Sequence, residues 1–166
     1  MIINISPSTE ILVFTGPESS GKTTCAERFS TIYQLPLVEE YARVYLTTHG
    51  SAYTFQDIQK IAQKQKELEI QTHQENPLII CDTDIVTLEI WALEKFDRSL
   101  EMSDILKSKK HYFLCYPDIP WEPDPLRENP EDRLRLFDRY QAYLKASEAS
   151  FTVLKGDNKK ELQLLI

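Results

Sequence analysis

Residues 16–24 read GPESSGKTT and follow the apolar stretch ILVFT at 11–15. The spacing matches G-x-x-x-x-G-K-[ST], a loop whose backbone N–H groups cradle phosphates between a strand and a helix. Gly16 and Gly21 permit backbone conformations that a side chain would block. A buried strand that leads into such a loop predicts an α/β protein with a parallel sheet, and it places the loop at the carboxyl edge of the strands.

This loop predicts that the chain binds a nucleoside triphosphate. Lys22 is expected to reach the β- and γ-phosphates, and the Thr23 hydroxyl is expected to ligate Mg²⁺. The N–H groups of the loop and of the following helix N-terminus would face the anion. The predicted nucleotide-binding residues are Gly16, Pro17, Glu18, Ser19, Ser20, Gly21, Lys22, Thr23 and Thr24.

Apolar stretches alternate with helical patterns along the rest of the chain. Such alternation predicts a five-stranded parallel sheet flanked by helices, joined by right-handed crossovers, in one domain covering residues 1–166. The predicted strands are 11–15, 35–40, 78–82, 111–116 and 151–155, and the predicted helices are 22–33, 54–74, 84–96, 100–109 and 130–148. A capping box is expected at Thr54 and Asp57.

Composition narrows the class of partner. The formal net charge of −7 among 166 residues argues against a nucleic-acid or anionic-membrane surface. The three cysteines form no CxxC pair, and the chain has no run of about 18 apolar residues. We therefore expect a cytoplasmic protein that acts on a small molecule, with neither nucleic acid nor membrane as a partner.

An acidic residue at the end of a second buried strand is expected to complete the site. The segment LIICDTD places Asp82 there, where it can hold Mg²⁺ through water or accept a proton from an attacking hydroxyl. Asp84 has two interpretations, as a substrate contact or as a cap on the following helix.

The sequence lacks a motif that a GTPase requires. None of its four glycines has an aspartate three positions earlier, so the D-x-x-G element is absent. A small-molecule kinase instead closes over its substrate and brings arginines to the transferred phosphate. Residues 117–133 hold five of the nine prolines together with Arg127 and Arg133. This segment is either a lid that carries catalytic arginines or an irregular surface loop.

Four motifs in this order resemble the ribosylnicotinamide kinase domain of the NadR family, over nearly the whole chain. They are GPESSGKTT (16–24), EEYAR (39–43), CDTDIVTLEIW (81–91) and DIPWEPDPLRENPEDR (118–133). The resemblance implies transfer of the γ-phosphoryl group of ATP to the 5′-hydroxyl of nicotinamide riboside, with Mg²⁺. The lid departs from the family pattern at Pro125, where glycine is typical. The H-x-G-H signature of the adenylyltransferases is absent from the sequence, so that activity is not implied.

The resemblance also suggests contacts with the acceptor nucleoside. Glu40, Tyr41 and Arg43 follow the second strand, although a helix cap with a solvated charged face is the alternative interpretation. In the lid, Trp121 and Asp124 are predicted to contact the acceptor. Trp91 is a second candidate for stacking on the acceptor, but a core position is favoured, because it shares a helical stripe with two apolar residues.

The sequence is compatible with three functions. The first is a nicotinamide riboside kinase, and the second is a kinase for another nucleoside, nucleotide or hydroxylated metabolite. The third is a regulatory module that senses ATP with little turnover. A homo-oligomer is possible, because the predicted helix 54–74 leaves room for a subunit contact.

Overall fold

The computed structural model describes residues 2–124, 131–161 and 163–165 of the chain. Five parallel strands form the main sheet in the order β3-β4-β2-β5-β6, and β1 pairs with β7 in a separate two-stranded sheet. The strands are β1 (Ile2–Asn4), β2 (Ile11–Thr15), β3 (Leu37–Val38), β4 (Ile79–Asp82), β5 (Lys110–Cys115), β6 (Ser150–Leu154) and β7 (Gln163–Leu165). The helices are α1 (Lys22–Tyr33), α2 (Tyr41–His49), α3 (Phe55–Glu75), α4 (Ile85–Phe96), α5 (Arg133–Ala146) and α6 (Asn158–Glu161).

Strand β2 lies at the centre of the main sheet, and every one of its residues is buried. Val13 is opposite Cys81 on β4 and Tyr112 on β5, and both pairings are parallel. A strand covered on both faces reads as a continuous apolar run, which is the pattern of ILVFT. The predicted five-stranded parallel sheet is therefore confirmed.

Helices cover the two faces of this sheet. Leu12 and Phe14 pack with Phe29 of α1 on one face. Ile11 and Val13 pack on the other face, against side chains of α4 and α5. This alternation follows from the two-residue period of a strand. Because β2, β4 and β5 are parallel neighbours, their carboxyl ends lie together at one edge of the sheet.

Helix α3 begins where the sequence predicts. The Thr54 side chain accepts a hydrogen bond from the Asp57 N–H, and the Asp57 carboxylate accepts one from the Thr54 N–H. This reciprocal arrangement satisfies two donors that would otherwise lack a partner at a helix N-terminus. The capping box is confirmed.

The predicted helix at 100–109 is wrong, since only a 3₁₀ turn at Lys107–Lys109 forms there. Two contacts of Asp104 replace those of a helix. Its Oδ1 accepts a hydrogen bond from the Leu106 N–H, and its Oδ2 lies 2.8 Å from the Lys110 ammonium. Local side-chain bonds of this kind compete with helix formation. Helix α2 and the β1–β7 pairing are further elements that the sequence analysis does not predict.

Across the part of the chain that the structure describes, no helix has both the length and the apolar character required to cross a bilayer.

Candidate active site

The phosphate-binding loop connects β2 to α1 through several left-handed residues. Gly16, Ser19 and Gly21 have φ angles of 137°, 51° and 81°. A Cβ atom on Gly16 would lie 2.7 Å from the Cys115 carbonyl oxygen, so the loop approaches β5 too closely for any side chain there. Helix α1 starts at Lys22 directly after the loop, and its first three residues line the cavity described next.

A cavity of about 130 Å³ opens over this loop. Its walls combine the loop with residues from α2, α4 and the segment after β5. The lining consists of residues 18–24 together with Glu40, Arg43, Leu46, Trp91, Ile119 and Glu122. Of the predicted nucleotide-binding residues, seven therefore line one cavity, and Glu40 and Arg43 of the predicted substrate contacts join them.

Asp82, the last residue of β4, lies beside this cavity. Burial raises the pKa of its carboxyl to about 6, although the Lys22 ammonium and a hydrogen bond from Thr23 act in the opposite direction. Its Oδ1 atom is buried and has no hydrogen-bond partner among the described residues. A buried carboxylate oxygen without a partner is costly, so a ligand that uses it is expected.

Thr23 and Asp82 fit the donor set of a magnesium site. Mg²⁺ keeps several waters and phosphate oxygens, and it takes only one or two groups from the protein. The Thr23 hydroxyl adjoins the Asp82 carboxylate, and the free Oδ1 atom supplies an oxygen ligand or a water contact.

A second cavity of about 340 Å³ adjoins the first and shares Glu18, Leu46 and Trp91 with it. Pro17 of the loop also lies here. The lining comprises Pro17, Glu18, Leu46, Tyr53, Ile90, Trp91, Glu94, Lys95, Asp132, Arg135, Leu136 and Tyr140. The two cavities together form a cleft between α2, α4 and α5 that opens onto the phosphate loop.

Trp91 is the residue that the sequence analysis places least well. It lies on α4, lines both cavities, and stacks on Tyr53 with ring centroids 6.4 Å apart. The Lys95 ammonium lies 3.7 Å from the centre of the same Tyr53 ring. Trp91 packs against a buried cluster, as its helical stripe predicts, but its side chain also lines the cleft.

Arg43 and Asp124 bind each other. The Arg43 Nη1 atom lies 3.0 Å from the Asp124 carboxylate, and this hydrogen bond raises the pKa of Arg43. The pair joins α2 to the segment after β5. Asp124 lines neither cavity, and Tyr41, whose N–H donates to the Gln65 side chain, lines neither as well. In this conformation these two predicted substrate contacts are not in the cleft.

Asp84, a predicted substrate contact, lines neither cavity in the structure. Its side chain is fully buried, its Oδ1 accepts from the Val86 N–H at the start of α4, and its Oδ2 lies 2.9 Å from the Lys110 ammonium. The alternative interpretation, a helix cap, is confirmed. A lysine 26 residues along the chain determines where this carboxylate points.

Arg133, which lies at the end of the predicted lid, contacts the phosphate loop. Its Nη1 atom donates to the carbonyl oxygens of Ser19 and Ile119, at 3.1 and 2.9 Å. The guanidinium lies 5.8 Å from the centre of the Trp121 ring, and Trp121 lines neither cavity. Arg127 and Pro125 lie outside the described residues.

A phosphate loop and a buried acid at the carboxyl edge of a five-stranded parallel sheet define the P-loop class of nucleotide-binding folds. Residues 11–160 match a protein family described as an AAA domain, and the chain belongs to that family. No curated protein sequence matches the chain.

Solved structures share this fold. The NadR protein in complex with NR matches with a TM-score of 0.65 and 16% identity over 90% of this chain and 46% of that one. NadR in complex with NAD and AMP-PNP matches with a TM-score of 0.67 and 18% identity, over 89% and 44%. Thymidylate kinase from Ehrlichia chaffeensis matches with a TM-score of 0.57 and 17% identity over 89% of both chains.

These matches confirm the resemblance to NadR at the level of the fold. The chain spans a little under half of the length of the two NadR chains.

Proposed function

We propose that this protein is an ATP-dependent kinase that phosphorylates the 5′-hydroxyl of nicotinamide riboside, forming nicotinamide mononucleotide and ADP. The observation that carries the proposal is the position of the second cavity. It meets the phosphate-loop cavity at Glu18, Leu46 and Trp91, so an acceptor there has its reactive end next to the transferred phosphate. Holding two reactants in this way is one of the two main parts of phosphoryl-transfer catalysis, together with charge stabilisation.

The chemistry of the second cavity suits a nucleoside with a cationic ring. Tyr53, Trp91 and Tyr140 supply aromatic surface. The lining has three carboxylates, Glu18, Glu94 and Asp132, against two cations, and Glu94 and Asp132 form ion pairs with one of these, Arg135. Aromatic faces attract cations through their quadrupole, and carboxylates attract them by charge. The NadR protein with the same fold was solved with NR, which supports nicotinamide riboside as the acceptor.

Asp82 is the proposed general base. It accepts the proton of the 5′-hydroxyl while the ribose oxygen forms a bond to the γ-phosphorus. The bond from that phosphorus to the bridging oxygen of ADP breaks, and ADP carries away the electron pair. Lys22 stabilises the charge that develops on the phosphate oxygens. Mg²⁺ held by the Thr23 hydroxyl, and by Asp82 through a water ligand, would neutralise phosphate charge when it is bound.

Residues 117–133 are proposed as the lid of this kinase, within one domain that covers residues 1–166. Ser19 of the phosphate loop already contacts this segment, because its hydroxyl accepts from the Glu122 N–H at 3.1 Å and lies 3.4 Å from the Pro120 carbonyl oxygen. A segment that rests on the loop is well placed to exclude water from the reaction.

The test is ADP formation by the full chain with Mg-ATP and a panel of acceptors, measured with a coupled assay and checked by mass spectrometry of the product. We expect turnover with nicotinamide riboside and its loss in Lys22→Ala. The control Lys160→Ala removes an exposed lysine and should retain full activity. Turnover with other acceptors only would refute the substrate assignment. Tight ATP binding without turnover of any acceptor would favour a sensor.

A further inference from the structure

Two cationic side chains donate hydrogen bonds to consecutive carbonyl groups of the phosphate loop. The Arg133 Nη1 atom lies 3.1 Å from the Ser19 carbonyl oxygen. The Lys159 Nζ atom lies 2.9 Å from the Ser20 carbonyl oxygen. One cation comes from the start of α5 and the other from α6, so both contacts depend on the tertiary structure.

The Lys159 side chain is buried and fixed by several hydrogen bonds. Its side chain is only 8% exposed, and besides Ser20 it donates to the Tyr116 carbonyl oxygen and to the Asp118 carboxylate. Asp118 in turn accepts a hydrogen bond from the Gly156 N–H. A buried ammonium is tolerated when a carboxylate and several acceptors surround it, as they do here. These contacts hold the ammonium against the Ser20 carbonyl oxygen.

Arg133 connects the loop to the segment after β5. The same Nη1 atom that donates to Ser19 also donates to the Ile119 carbonyl oxygen. Arginine cannot lose its proton in a protein, so this contact keeps a full positive charge.

The geometry of a peptide group transmits these charges to the phosphate side. The described chain has no cis peptide bond, so each C=O points away from the N–H of the same peptide unit. The Ser19 carbonyl shares a peptide unit with the Ser20 N–H, and the Ser20 carbonyl shares one with the Gly21 N–H. A cation at the oxygen polarises the unit and strengthens the N–H as a donor, as in chains of hydrogen bonds.

We propose that Arg133 and Lys159 are positioning residues that orient and polarise the Ser20 and Gly21 N–H groups for binding the phosphates. They act through the loop rather than by touching the transferred phosphate, which revises the direct catalytic role that the sequence analysis predicts for Arg133. The inference rests on nucleotide binding by the loop, as in the proposed function, and it does not depend on which acceptor is used.

The first test is calorimetric titration of the full chain with inorganic triphosphate, and with ATP, in the presence of Mg²⁺. Arg133→Met and Lys159→Met should each weaken both ligands about tenfold, as expected for a bond to a charged group. Lys145→Met and Lys160→Met are the matched controls, because they remove exposed charges from the same two helices. Both controls should bind as the wild type does.

The second test separates this role from general support of the fold. In the ligand-free protein, Arg133→Met should shift the amide proton resonance of Ser20 upfield, and Lys159→Met should shift that of Gly21. Arg133→Lys and Lys159→Arg, which keep the charge, should recover most of the affinity for triphosphate. A merely structural contact would not produce this one-to-one pattern.

The outcomes are distinguishable. If the wild type binds ATP and triphosphate but the Met variants bind equally well, or if the two resonances do not move, the inference is overturned and the proposed function stands. If the wild type binds neither ligand, the proposed function itself fails. Should Lys159→Met not fold, Arg133→Met and Lys159→Arg decide the question by the same two measurements.

Discussion

The Lys110 ammonium lies 2.9 Å from the Asp84 carboxylate in a pair that solvent does not reach, with side chains 1% and 0% exposed. Glu69 and Asp104 lie 2.9 and 2.8 Å from the same ammonium. Burial would lower the pKa of Lys110, but the surrounding carboxylates raise it well above its usual value. This cluster joins α3, β5 and the start of α4. It gives buried ion-pair partners to Asp84, which the sequence analysis connects with the substrate.

Asp84→Asn is expected to reduce stability more than catalysis. Asparagine retains an oxygen for the Val86 N–H but removes the charge that faces Lys110. Because Glu69 and Asp104 still contact Lys110, we expect a loss of about 2 kcal/mol, below the full cost of breaking a buried ion pair. Urea denaturation measures the change. A higher KM for the acceptor with unchanged stability would instead place Asp84 in the cleft.

Glu69 should make stability depend on pH. Burial, opposed by Lys110, raises the pKa of its carboxyl to about 7 in the folded protein, against 4.5 for an ordinary glutamate. Such a group stabilises the fold below pH 4.5, and this contribution is lost as the pH rises through about 7. Between pH 5 and 8, Glu69→Gln should gain about 2–3 kcal/mol of unfolding free energy relative to the wild type.

The matched control for this experiment is Glu75→Gln, which removes an exposed carboxylate from the same helix. Its unfolding free energy should follow that of the wild type at every pH. Parallel curves for Glu69→Gln and the wild type would show that Glu69 ionises normally.

The activity should depend on the ionisation of Asp82. Burial raises the pKa of this carboxyl to about 6, and only the carboxylate accepts the proton of the acceptor. We expect kcat/KM to be constant above about pH 7 and to fall about tenfold per pH unit well below 6. Circular dichroism at each pH provides the control for unfolding. A profile that stays flat down to pH 5 would exclude Asp82 as the base.

Replacement of Trp91 should raise the KM for the acceptor more than replacement of Trp121 does. Trp91 lines both cavities, whereas Trp121 lines neither. Trp91→Leu is expected to raise the KM for nicotinamide riboside about tenfold through the loss of aromatic contact. It should change the ATP dissociation constant much less, because the phosphate-loop cavity is lined mainly by other residues. Trp121→Leu is the comparison and should change this KM less than threefold. The reverse order would move the acceptor towards the lid.

Much of the fold follows from local patterns. The apolar runs of β2, β4 and β5 and the spacing of the phosphate loop are properties of consecutive residues, so the sheet and the loop are predictable. The helix predicted at 100–109 is wrong, because the partner of Asp104 is Lys110 and its local bond to the Leu106 N–H replaces a helical one. Periodicity cannot report such a competing contact.

In the candidate site, too, some features are predictable from the sequence and others are not. The sequence is sufficient for the loop, Lys22, Thr23 and Asp82, since a motif and the end of a strand place them at one edge of the sheet. The burial of Asp84, the exposure of Trp91 to the cleft, and the contact of Lys159 with a carbonyl 139 residues away required the folded chain. These features arise where side chains distant in sequence pack together, and the energy of a buried charge or ring depends on neighbours that no local pattern contains.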